Sequence, residues 1–471
     1  IGEFTATQIA ALSTSQVRAI TATNMAALNE TQVGALTSAQ LQALTNTNLS
    51  ALVDTQIAAL STAQVAAFTG AQISGLDATN IAEFTSAQFA AFTNTQMKAL
   101  TATNMAAMAD TQVSAFNATQ IAQFSATTLS ALDDEQLAAL TATQIAALSG
   151  NQVKGLSAGN VAALTETQVA AFNATQMQSL TATALSALAD TQVAALSTTQ
   201  LTALKTSQIA ALSSTDIGEF STDQIASFST GQVKAFTVTN IGDLSEAQVA
   251  ALTTSQLQAL TNTQIEALDA TQLGALTTTQ VAALTASQIR SLNATSVGAL
   301  ADTQVGALTA TQVASLSTTA LATLDNSQIA ALTTTQVAAL TRAQISGLTT
   351  ATASALDGAQ VAAFNSTQLR ALTTTLIGAL DATDIAEFTS TQLTQLATTQ
   401  VAAFNATNMA SLTETQIAAL ANTQITAISA TNLASLAESQ IAALTNGQVA
   451  ALSTAQVAGL NATNIGALTT T

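Results

Sequence analysis

The 471-residue sequence contains no cysteine, proline, histidine, tryptophan or tyrosine. Without cysteine there is no disulfide, thiol nucleophile or thiolate metal ligand, and redox usage says nothing about compartment. Nucleophilic catalysis would need a Ser, Thr or Lys beside a base, and with no histidine or cysteine to serve, the chain is expected not to be an enzyme. Charge of one sign is scarce: 8 Lys and Arg stand against 26 Asp and Glu, a net −18 that repels polyanions and makes nucleic acid a poor partner. Charged residues total only 7%, so the surface is expected to be hydroxyls, amides and alanine. Although 48% of residues are apolar, no run approaches the roughly 18 residues of a membrane span, and membrane insertion is not expected.

What is present is one eight-residue word, as in LTTTQVAAL at Leu332–Leu340, repeated without insertion or deletion from Ile1 to Thr471. Position one is apolar (Ile1, Ile9, Val17), and so is position four (Phe4, Leu12, Ile20). The alternating spacing of three and five fits neither a strand nor one long helix, which would need about 4.0 residues per turn where the α-helix has about 3.6. Position five is nearly always Thr, Ser, Asn or Asp, and Gln follows three residues later at position eight. That is a capping box, and the large residues around it, such as Leu332 and Val337, are spaced as a hydrophobic staple. Each octad is therefore a helix of under two turns that is unstable alone and persists only by burying its apolar pair against neighbours. The fold class this predicts is all-α: a solenoid of very short capped helices, one per octad, forming a single continuous array over 1–471.

Residues that mark only some octads report how octads are arranged. At position six stand Glu30, Asp54, Asp110, Asp134, Glu166, Asp190, Glu246, Asp302, Glu414 and Glu438, each six residues after a departure from Gln at position eight. Their gaps are 24, 32, 56 or 112 residues. Taken as one, two or four turns, these give roughly 27 residues, or about 3.4 octads, per superhelical turn. Basic residues at position two, Arg18, Lys98, Lys154, Lys234, Arg290 and Arg370, are spaced by 56 or 80. They fit the same period a little under half a turn away. An acidic line and a sparser basic line are thus expected on nearly opposite sides. Helix-end electrostatics explains the signs, acid at the helix start and base near its end, but not the choice of one octad in three or four.

Phe replaces Leu at position four mainly between Phe68 and Phe236 and is expected to fill the core there. The pattern loosens over 320–384, where Ala353 takes an apolar position and Leu376 a Gln position. Gly75, Gly155, Gly298 and Gly306 near helix ends are expected to permit close backbone approach, not to cradle phosphate. Asn117, Asn173, Asn293, Asn405 and Asn461 each open Asn-Ala-Thr, yet their position marks them as caps before glycosylation sites. The chain starts and stops in register, without a signal peptide or a polar capping repeat, and is expected to be a segment of a longer array. No catalytic, cofactor or metal residue is expected; calcium bridging paired carboxylates of neighbouring rods is the one ion reading the acids leave open.

Strings such as LTATQIAALSGNQVKGLSAGNVAAL, at Leu140–Leu164, resemble the L-[ST]-x-x-Q-[IV]-x-x-L arrays of very large bacterial surface and adhesin-like proteins. More distantly they resemble the short-helix superhelix of mesothelin- and stereocilin-type proteins. The resemblance covers the whole chain and implies a secreted or cell-surface structural role, with no functional residues to transfer. The expected function is a rigid rod in an extracellular filament, sheath or surface layer. Its partners would be other copies, end to end or laterally through the opposed lines, with surface glycans a further class. The alternatives are a non-associating adhesin stalk and, third, an ice- or carbohydrate-binding array of Thr.

Overall fold

The computed structural model describes residues 1–468. Among them are 58 helices, one per octad, of four to seven residues each, and no strand. The capping box explains where each helix starts. In the helix Ser38–Ala43, Gln40 N–H donates to Thr37 Oγ1 at 3.4 Å, and Gln40 Oε1 accepts the Thr37 amide at 2.7 Å. The helix stops where the position-four Leu turns extended, as at Leu44.

The other half of the Gln side chain ties one turn to the next. Gln40 Nε2 donates to Ile9 O at 2.9 Å and Leu12 O at 2.7 Å, the end of the helix Ala6–Ala11 four helices earlier. Position-eight amides therefore satisfy carbonyls that a helix end would otherwise leave orphaned. Asn is one methylene shorter and reaches a single carbonyl, as Asn104 Nδ2 does with Leu76 O at 2.9 Å.

Contacts divide the chain at Phe236 and Thr237 into two units. In the first, helices stack on the third one following, as Ala6–Ala11 does on Glu30–Gly34 and Thr14–Arg18 on Ser38–Ala43. On the outside Ser86 Oγ donates to Thr111 O across 25 residues, while the Gln arms span 28 to 31. One circuit thus holds more than three and fewer than four octads, which brackets the period of roughly 27 residues read from the charges. The second unit is built alike. Thr278–Ala283 stacks on Asp302–Ala307, Gln304 Nε2 reaches Leu273 O and Leu276 O at 2.9 and 2.7 Å, and Gln258 Nε2 spans 25 residues to Ala283 O.

Positions one and four form the core. Ile9, Val17, Val33 and Leu41 are fully buried, with Leu36 and Leu44 nearly so. Each such side chain contributes roughly 1.5–3 kcal/mol on burial, which holds helices too short to stand alone. The phenylalanines fill this core edge to face: Phe84 and Phe92 have centroids 5.9 Å apart, Phe116 and Phe124 5.4 Å, Phe220 and Phe228 5.2 Å. Over 320–384 the packing is less complete. The short Ala353 lines a small cavity of about 20 Å³ together with Leu356, Val361, Phe364 and Phe388, and buried Leu376 offers no amide to the preceding turn. Gly155 permits close approach, because a Cβ there would stand 2.6 Å from the Ala126 Cβ. All five Asn-Ala-Thr asparagines cap helices through Oδ1.

Candidate functional site

Every residue of the two charged sets is exposed. The acids open their helices at the first helical position, and the basic residues stand last or next to last in theirs or follow the last helical residue, as Arg370 does. Acids 24 residues apart sit on helices that stack directly. Glu30–Gly34 lies on Asp54–Ala58, Asp110–Val113 on Asp134–Ala138, Glu166–Ala170 on Asp190–Ala194, and Glu414–Ala419 on Glu438–Ala442. Within the units, four of the basic residues stand on helices two away from acidic ones, Arg18 from Glu30, Lys98 from Asp110, Lys154 from Asp134 and Glu166, and Arg290 from Asp302, whereas Arg370 has no acid of the line at that offset. The helix starts are thus somewhat more than half of a circuit of about 3.4 octads apart, while the charges, at the end of the basic helix and the start of the acidic one that follows, are 12 residues apart, a little under half of roughly 27.

Half of the acidic set also has a local task. Asp54, Asp110, Asp190, Asp302 and Glu438 follow Val53, Ala109, Ala189, Ala301 and Ala437, which have no side-chain acceptor to cap the helix. There a carboxylate at the first helical position supplies negative charge where the exposed amides point, and Asp54 Oδ1 accepts the Thr55 amide at 2.8 Å. Glu30, Asp134, Glu166, Glu246 and Glu414 follow residues that already cap, so they have no such duty.

Sequence reasoning missed Glu83, Glu219 and Glu387, which stand at position three in the strings TNIAEF, TDIGEF and TDIAEF. Stacking brings each against the acids of the preceding turn. Burial pushes the Glu83 carboxyl above its ordinary 4.5, and Asp54 and Asp77 push the same way against a hydrogen bond with Asn80. Glu219 is raised by burial, then by Asp190 and Asp216. Glu387 is raised by burial, then by Asp384, Asp357 and Asp381. One carboxylate oxygen of Glu83 and one of Glu387 are buried without a hydrogen-bond partner.

In two of these strings Asp takes the place of Gln, and the inter-turn bond reverses direction. The hydroxyls of Ser186 and Ser354 donate to Asp216 and Asp384 at 2.9 and 2.8 Å, each across 30 residues. Asp269 is the opposite case. The Gln272 amide and the Thr271 hydroxyl donate to it and hold its carboxyl below the ordinary value. Among the described residues no three acidic side chains converge closely enough to hold a metal ion, and no helix is long and apolar enough to cross a membrane.

A family model described as the ALTTAQ repeat matches six segments of the chain, residues 9–47, 33–70, 198–238, 225–262, 249–286 and 439–470. No curated protein matches it. The matched segments lie near both ends and in the middle of the chain: the chain is an octapeptide-repeat array similar to the ALTTAQ repeat.

Proposed function

We infer that the chain is a structural, non-catalytic repeat that associates with copies of itself sideways, acidic line against basic line, within a filament, sheath or layer outside the cell. The observation that carries this is the two-helix offset between exposed basic and exposed acidic residues, repeated at Arg18, Lys98, Lys154 and Arg290. It presents opposite charges on different sides of the circuits that carry them, so that two copies face each other with complementary potentials. The extracellular setting follows from the resemblance to surface-protein arrays and belongs to the same reading.

Glu30, Glu166, Glu246 and Glu414 are the residues to change, since their helices are capped without them. Light scattering and electron microscopy of the full chain are expected to show assemblies that dissolve as salt rises, because screening shortens from about 10 Å at 0.1 M to about 3 Å at 1 M. With all four changed to Gln, single particles are expected at every salt concentration. Assemblies indifferent to both salt and the four substitutions contradict the charge pairing. Single particles of the unaltered chain favour a passive stalk.

A further inference from the structure

Two of the eight basic residues, Lys154 and Lys205, line one surface groove of about 330 Å³. Lys154 ends the helix Gly150–Lys154, which stacks on Ala174–Met177; Lys205 precedes Thr206–Ile209, which stacks on Ala182–Leu185. The two cations therefore enter from the preceding and the following turn, and hydroxyls and amides, among them Asn151, Ser179, Thr181 and Ser207, lie between them. No carboxylate is among the residues lining the groove.

Lys205 breaks the local rules of the array. It occupies position five, where the side chain elsewhere is a capping oxygen or a small apolar group, and it forms no side-chain cap. A cation there also opposes the positive end of the helix it precedes. Local structure gains nothing from this residue, and a second ammonium in the same groove adds repulsion. Both costs reverse when an anion lies between them. The groove is within the size range of small-ligand sites, and its two charges are separated by hydroxyl and amide groups. Two cations with hydroxyl and amide groups in the same lining match a chain of sugars carrying carboxylates better than one compact ion.

We propose that the groove between Lys154 and Lys205 binds an acidic polysaccharide segment, a uronic-acid oligomer, with the ammonium groups on carboxylates and the intervening side chains on sugar hydroxyls. The site shares Lys154 with the basic line, whereas Lys205 lies outside that line, so Lys205→Thr separates saccharide binding from sideways assembly. The test is calorimetric titration of the full chain with tetragalacturonate, neutral cellotetraose and inorganic sulfate. Tetragalacturonate alone is expected to bind. Lys205→Thr, which restores the cap, and Lys154→Gln should each weaken binding about tenfold or more. Arg342→Gln, outside the groove and outside both charged lines, should leave binding unchanged. The proposal is overturned by absence of tetragalacturonate binding, by equal binding of cellotetraose or sulfate, or by full affinity in Lys205→Thr. If the two groove variants abolish self-association while tetragalacturonate does not bind, the groove is a protein contact and the saccharide assignment fails.

Discussion

At the scale of single residues, the glutamine at position eight has two tasks that one side chain must perform together. Its Oε1 accepts the capping amide, which Glu would also do, and its Nε2 donates to the preceding turn, which Glu cannot. Glu occupies position eight nowhere in the chain, and that absence is the trace of the second task in the sequence. Glu83, Glu219 and Glu387 illustrate the reverse, carboxyls in places that disfavour their charge. Their folded values lie above the ordinary 4.5, so the penalty is present at neutral pH and vanishes as pH falls through the folded value toward 4.5. Stability from these groups therefore rises on mild acidification, while the contribution of Asp269 is present above its ordinary 3.8 and is lost below it. Changing all three glutamates to Gln is expected to raise the urea midpoint at pH 7 and to flatten its dependence between pH 7 and the ordinary 4.5. A triple variant no more stable than the unaltered chain at pH 7 counts against the burial argument.

At the scale of the element, a helix of four to seven residues is held by what surrounds it. Small-residue positions decide how near the next turn can come. Gly155→Ala is expected to cost about 1–3 kcal/mol, because its Cβ meets the Cβ and Cα of Ala126 in a neighbouring turn. Gly274→Ala, with nothing within 4 Å of the added carbon, should be neutral or stabilising in the same urea titration. Equal destabilisation of the two would remove close approach as the reason for Gly155.

Much at this scale was legible in the sequence. Thr37 and Gln40 announce a helix start, Leu41 and Leu44 its buried side, and Phe84 and Phe116 a core filler. Side-chain types and short-range spacing suffice for each. What the sequence concealed depends on register between turns. Glu83 meets Asp54 across 29 residues, and Lys154 shares a groove with Lys205 across 51, distances that no local pattern encodes. The void beside Ala353 was legible as irregularity, but its position among Leu356, Val361 and Phe388 needed the stacking.

At the scale of the whole molecule, a net charge of −18 makes copies of the chain repel one another unless opposite charges are brought face to face. The sideways assembly, and the charged lines beneath it, exist only if successive circuits take between three and four octads. Hydrogen exchange on Gln96→Glu tests that most directly. Gln96 is fully buried; its Oε1 accepts the Thr93 amide at 2.7 Å, and its Nε2 donates to Val65 O and Phe68 O at 2.8 and 2.9 Å. The substitution keeps the cap acceptor and the shape, and it turns a donor into a buried charge facing two carbonyls, at a cost of about 3 kcal/mol or more. Protection is expected to fall in two separate places, the helix Asn94–Ala99 and the segment around Val65–Phe68, 28 to 31 residues upstream. Loss confined to the neighbourhood of residue 96, or no loss at all, would contradict the account.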